Sequence, residues 1–74
     1  MKTKVVVAIY ENRYGMDIRV FYSWEQAQAW KDEIGADNWP RVSDDTQPED
    51  TCGDEYFDLI HSEWFYIEEC EVER

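Results

Sequence analysis

The chain has 74 residues, room for one domain small enough to bury only somewhat more than the ~60% of unfolded-chain surface typical of 60 residues. Four Trp, five Tyr, three Phe and 43% apolar content argue against a disordered acidic tail, and no run of ~18 apolar residues offers a membrane span. A net charge of −11 disfavours direct binding to nucleic acid or to an anionic membrane and favours basic partners.

The charge is unevenly spread. Residues 1–31 hold five basic residues against three acids, a net +2; residues 32–74 hold fifteen acids against Arg41 and Arg74, a net −13. Solubility alone accounts for some of this, since acidic surfaces keep small proteins dispersed. Lys4 to Tyr10 is too short for a secretory signal core, so the expected compartment is the cytoplasm. There Cys52 and Cys70 are expected as free thiols, with a bridge between them as the alternative.

Lys4 to Tyr10 is apolar on both alternations, as in a strand with neighbours on two sides and protein over one face, and is expected at the centre of a sheet. Asn12 and Gly15 suit a hairpin loop, after which Met16 to Tyr22 alternates cleanly. That alternation predicts Met16, Ile18, Val20 and Tyr22 on the core face, with Asp17, Arg19 and Phe21 on the other.

Ser23 and Gln26 have capping-box spacing and predict a helix from Trp24 to Ile34, with Ala27, Trp30 and Ile34 on its inner face and Gly35 as its stop. Residues 41–55 form an acidic loop. Pro48, Glu49 and Asp50 suit the start of a second helix through Tyr56, Phe57, Leu59 and Ile60 to Ser62. The last segment, from Trp64 to Glu73, reads as a strand, but Phe65 and Ile67 lie on one alternation and Cys70 and Val72 on the other. A bulge near Glu68 and Glu69 would bring all four to the core and leave Trp64, Tyr66, Glu71 and Glu73 outside. The expected fold is therefore a single α+β domain over residues 1–74. It has a three-stranded antiparallel sheet of order 2-1-3, connected β-β-α-(α)-β, with one or two helices on one face.

His61 is the only histidine and stands in no nucleophile motif; the three glycines are too scattered for a phosphate loop. No enzyme activity and no cofactor are expected. The loop carboxylates Asp44, Asp45, Glu49, Asp50, Asp54 and Glu55 are donors that Ca²⁺ prefers, but they lack the spacing of a calcium loop. Two cysteines and one histidine fall short of a structural zinc site. No metal site is predicted.

What remains is a row of carboxylates beside exposed aromatics. Trp64 and Tyr66 would be continued along one strand face by Glu71 and Glu73, with Glu69 and the loop acids nearby, giving a partner-binding surface able to imitate a polyanion. Eleven net charges match roughly 19 Å of duplex at one charge per ~1.7 Å. Aromatic anchors are typical of binding hot spots.

In size, charge and hairpin–helix–strand layout, the chain resembles the small acidic inhibitors that bacteriophages and other mobile elements encode, anti-CRISPR proteins in particular. The resemblance carries no diagnostic motif and assigns no residues. It implies a stoichiometric inhibitor, acting in the host cytoplasm, that occupies the basic DNA-binding surface of a CRISPR effector complex and touches neither nucleic acid nor membrane itself. The alternatives are an antitoxin-like regulatory binding protein and a Ca²⁺-binding module.

Overall fold

A computed structural model describes the backbone from Lys2 to Glu73 and the side chains from Thr3 to Val72. Strands β1 (Lys2–Asn12) and β2 (Gly15–Phe21) form a hairpin. Helix α1 (Trp24–Asn38) runs into a 3₁₀ turn (Trp39–Arg41), helix α2 (Cys52–Leu59) follows after an irregular stretch, and strand β3 (Trp64–Glu73) closes the fold. The sheet is antiparallel with order β2-β1-β3, as expected, and both helices cover one of its faces.

The hairpin turn sets the geometry of everything that follows. Asn12 Oδ1 accepts the Tyr14 N–H at 2.8 Å, and Gly15, with φ of 145°, takes a backbone conformation that a side chain would strain. The turn pairs Asn12 with Gly15 and, without interruption, Val6 with Phe21. Which face of β2 points inward therefore follows from β1.

On β1 the inward residues are Val6, Ala8 and Tyr10. Ala8 carries no bulk to hold α1 away, and both it and Ala27 are completely buried. Their β2 partners Phe21, Arg19 and Asp17 therefore share the helix side. This reverses the expectation for β2: Met16, Ile18 and Val20 lie on the face that the helices leave open. Phe21 fills the core against Trp30, 6.0 Å between ring centres, and the Arg19 guanidinium lies 4.4 Å over the same indole.

Strand β3 contains no bulge. Its pairing with β1 is continuous from Lys2–Glu73 to Glu11–Trp64. Phe65 and Ile67 face the helices; Cys70 and Val72 instead lie on the open face, while Glu69 and Glu71 take the helix side. Carboxylates are tolerated there because the helices cover neither side chain, although Glu69 stands across from the buried Val6. Glu69 and Glu71 are both exposed, and Glu69 sits 3.6 Å from Lys4 Nζ.

Ser23 caps α1, its Oγ accepting the Gln26 N–H at 3.3 Å. Gln26 reaches back one residue further than a capping box requires, accepting the Tyr22 N–H at 3.0 Å. The helix passes through Gly35 rather than stopping there. A Cβ on Gly35 would stand 2.6 Å from the Cys52 carbonyl oxygen, and one on Gly53 would stand 2.7 Å from the Asp32 nitrogen, so these glycines let α1 and α2 touch backbone to backbone. The helical run ends in the 3₁₀ turn at Pro40, where Asn38 Nδ2 donates to the Ile34 carbonyl at 2.9 Å. Helix α2 is shorter than the sequence suggests, beginning three residues after Pro48's acidic followers open and ending at Leu59. Thr51 rather than Pro48 precedes its first turn.

Candidate interaction surfaces

The acids of the helix layer and the aromatics Trp64 and Tyr66 lie on two separate surfaces. The first is the helix layer. Residues 24–61 hold eleven acids against Lys31 and Arg41, a net −9, whereas the remaining residues hold seven acids against five basic residues, a net −2. Ten of those eleven acids are exposed, Asp32 being the half-buried one. Both cations are engaged in ion pairs: Lys31 Nζ lies 2.7 Å from Asp54 Oδ1, and Arg41 Nη1 lies 2.8 Å from Glu63 Oε2.

Of the acids expected to bind a partner, Asp44, Asp45, Glu49 and Asp50 are exposed in the irregular stretch 42–51. That stretch is held at one end, where the buried Trp39 donates its indole N–H to the Asp45 carbonyl at 3.0 Å and Ser43 Oγ accepts the Asp45 N–H at 3.1 Å. Asp54 and Glu55 stand in the first turn of α2, where a carboxylate complements the helix dipole. Hydrogen bonding from Lys31 holds the Asp54 carboxyl below the usual range, with Gln28 Nε2 adding a second donor at 3.2 Å against the opposing effect of burial. Glu55 accepts from the Thr51 hydroxyl at 3.1 Å.

The second surface is the open face of the sheet. Across it, Met16, Glu11 and Trp64 form one row; Ile18, Ile9 and Tyr66 the next; Val20, Val7 and Glu68 the third; and Val5 and Cys70 pair beyond. Met16, Ile18 and Val20 are 55–63% exposed, and Trp64 and Tyr66 48–51%. Trp64 and Tyr66 are therefore surface aromatics, as expected, but their neighbours along β3 are Glu68 and Cys70. Glu69 and Glu71 point to the other side, which breaks the expected aromatic–acid row. Glu73, the last member of that row, has a side chain outside the described residues.

A third cluster was not foreseen. Glu63 is 6% exposed and lies between α2 and β3. Its Oε1 accepts the Tyr10 hydroxyl at 2.5 Å and the Tyr56 hydroxyl at 2.9 Å, while Arg41 holds Oε2 and also donates to the Tyr56 oxygen at 3.2 Å. Burial pushes the Glu63 carboxyl up, but the three donors together outweigh it and leave it below the usual range. Burial and the same carboxylate raise both tyrosine hydroxyls. The Glu63 carboxylate is spent on both tyrosine hydroxyls and Arg41, so the cluster works as a clamp tying β1, the 3₁₀ turn and α2 to the start of β3. The only sequence sign of it is that tyrosines expected in a core need an acceptor, which Glu63, adjoining the last strand, supplies.

Neither cysteine is bridged. Cys52 is buried, its thiol donates to the Asp32 carbonyl at 3.0 Å, and burial raises its pKa; Cys70 is half-buried on the open face. His61 is exposed in the turn after α2. Among the described residues, no three His, Cys, Asp or Glu side chains converge where a metal ion could be held, and no helix is long and apolar enough to cross a membrane. Comparison with protein-family models, with curated proteins and with solved structures finds no match to this chain.

Proposed function

We propose that the protein is a non-enzymatic inhibitor whose acidic helix layer occupies a basic, nucleic-acid-binding surface of a partner protein, and that a CRISPR effector complex is the partner class. The observation that carries this reading is the uncompensated −9 of residues 24–61, where the two cations are already paired. Helix α1, about 22 Å long, carries a net −3, and the 3₁₀ turn, the 42–51 stretch and α2 carry the other −6, so the charge is spread across the whole layer. Such a layer steers basic surfaces toward the protein and competes for the lysines and arginines that hold phosphates. Trp64 and Tyr66, on the opposite face of the sheet, take no part in this contact.

The test is competition between the protein and target duplex for a guide-loaded CRISPR effector complex. The parent is expected to displace DNA at about 50 mM salt and progressively less toward 200 mM, as charges are screened. Replacing Asp44, Asp45, Glu49 and Asp50 by their amides should abolish displacement while leaving the fold intact; replacing Glu69 and Glu71 by Gln should change it little. Binding of the protein to duplex DNA itself, or undiminished competition by the loop variant, would overturn the reading.

A further inference from the structure

The open sheet face is left unused by the acidic-layer reading, and it has the properties of an interface. Strand β1 is apolar on both alternations, with Val6 and Ala8 under the helices and Val5, Val7 and Ile9 on the other side, the pattern of a strand buried on both faces. Three strands at ~4.8 Å spacing and about nine residues of ~3.4 Å each make a plane of roughly 400 Å², within the ~300–600 Å² of the largest apolar patch on a typical monomer. The whole molecule exposes 5447 Å², whereas a monomeric protein of its 8.9 kDa is expected to expose about 4,800 Å². Part of that excess lies in Met16, Ile18, Val20, Trp64 and Tyr66, each about half exposed or more, against the ~800 Å² that each partner contributes to a standard stable interface.

We propose that this face packs against the same face of a second copy, forming a two-sheet sandwich with the acidic helix layers outward on opposite sides. The chemistry of the face selects a copy of itself. Among the described residues it bears only Glu11 and Glu68 as charges, with Glu11 half-buried between Met16 and Trp64, so nothing on it would single out the basic surface that the rest of the chain attracts. Two such sheets, both twisted with the same hand, fit face to face ~10 Å apart with strands about 30° from parallel. The net charge of each copy does not prevent this. The helix layers would stand on the order of 30 Å apart across both sheets, several times the ~8 Å Debye length at physiological salt. The inference is independent of which partner the acidic layer meets.

Sedimentation equilibrium and NMR of the full chain test it. The expected mass is twice the 8.9 kDa of the chain at micromolar and higher concentration, insensitive to added salt. Ile18→Glu and Tyr66→Glu, at positions exposed in the single copy, should each give a monomer with unchanged circular dichroism. A parent that stays monomeric up to millimolar concentration overturns the proposal and leaves the face to a different protein. A dimer that persists in both variants also overturns it, because it must then use another surface such as the outer edge of β2. Should the variants fail to fold, dilution of the parent decides. Methyl signals of Val5, Val7, Ile9, Ile18 and Val20 should shift on dissociation while those of Ala27, Ile34 and Ala36 hold still, and shifts confined to the helix-side methyls would overturn the proposal.

Discussion

Glu63→Gln removes one negative charge from the clamp and keeps its shape, which makes it a sensitive probe of what closes the domain. The amide can still accept a tyrosine hydroxyl through its carbonyl, but its NH₂ faces Arg41, so the 2.8 Å ion pair is lost and two donors oppose each other. Breaking a fully buried pair costs about 3–5 kcal/mol, but Arg41 is 48% exposed and can turn its charge to water, so about 2–3 kcal/mol is expected. A 74-residue domain holds roughly 4–11 kcal/mol in total, so urea melts should show the change as a large drop in midpoint. The pH dependence gives an independent reading. Glu63 has its carboxyl lowered in the folded state, so its contribution is fully present above the unfolded-state pKa and fades as pH falls through the folded value. Asp54 is lowered as well and acts in the same direction, so the difference between parent and variant isolates Glu63. The gap between the two proteins should be widest near neutral pH and should narrow below about pH 4.5. A gap that is constant from neutral to acid pH, or a variant as stable as the parent, would refute the view that an ionised Glu63 holds β1, α2 and β3 together.

Three further outcomes follow from packing. Gly35→Ala should destabilise by about 1–3 kcal/mol in thermal melts, because its Cβ would stand 2.6 Å from the Cys52 carbonyl; a neutral or stabilising result would mean that α1 and α2 do not cross there. A thiol reagent should label Cys70 in the native protein and reach Cys52 only on unfolding, since Cys52 is 4% exposed and its raised pKa withholds the thiolate; equal labelling rates would contradict that burial. Phe21→Ala should cost about 2–4 kcal/mol as it vacates the contact with Trp30, whereas Val20→Thr in dilute solution should stay within about 0.5 kcal/mol, measured by urea denaturation. The opposite order would restore Met16, Ile18 and Val20 to the core.

The strands, their order and the first helix were legible because each rests on local chemistry. Asn12 and Gly15 mark the turn, Ser23 and Gln26 mark the cap, and the apolar run from Val5 to Ile9 marks the centre of the sheet. What could not be read locally was facing. On β2 the even-numbered residues are the more apolar, yet they lie outside, because the hairpin register binds their orientation to Ala8 and Tyr10 on the neighbouring strand. The absence of a bulge in β3 has the same origin. The uninterrupted register with β1 sets Cys70 opposite Val5 and Val72 opposite Thr3, both on the open face. Gly35 misled for a related reason: a glycine in a helical pattern signals either a stop or a close crossing, and only the distant Cys52 decides between them.

The facing of β2 and the straightness of β3 have one cause, and it bears on function. If apolar residues had a single place to go, the space between sheet and helices, a second apolar face could be accommodated only by reversing β2 or bulging β3. The chain instead carries two apolar layers, one on either side of β1, and places its charge on the helices that cover the first. Lys31 and Arg41 are consumed internally by Asp54 and Glu63, so the helix layer keeps nearly all of its negative field. The acids of the helix layer and the aromatics Trp64 and Tyr66 consequently cannot act in one contact, because the sheet stands between them. A partner drawn by charge meets the helices and the 42–51 stretch, and whatever covers Ile18, Tyr66 and Trp64 must be chosen by shape and burial.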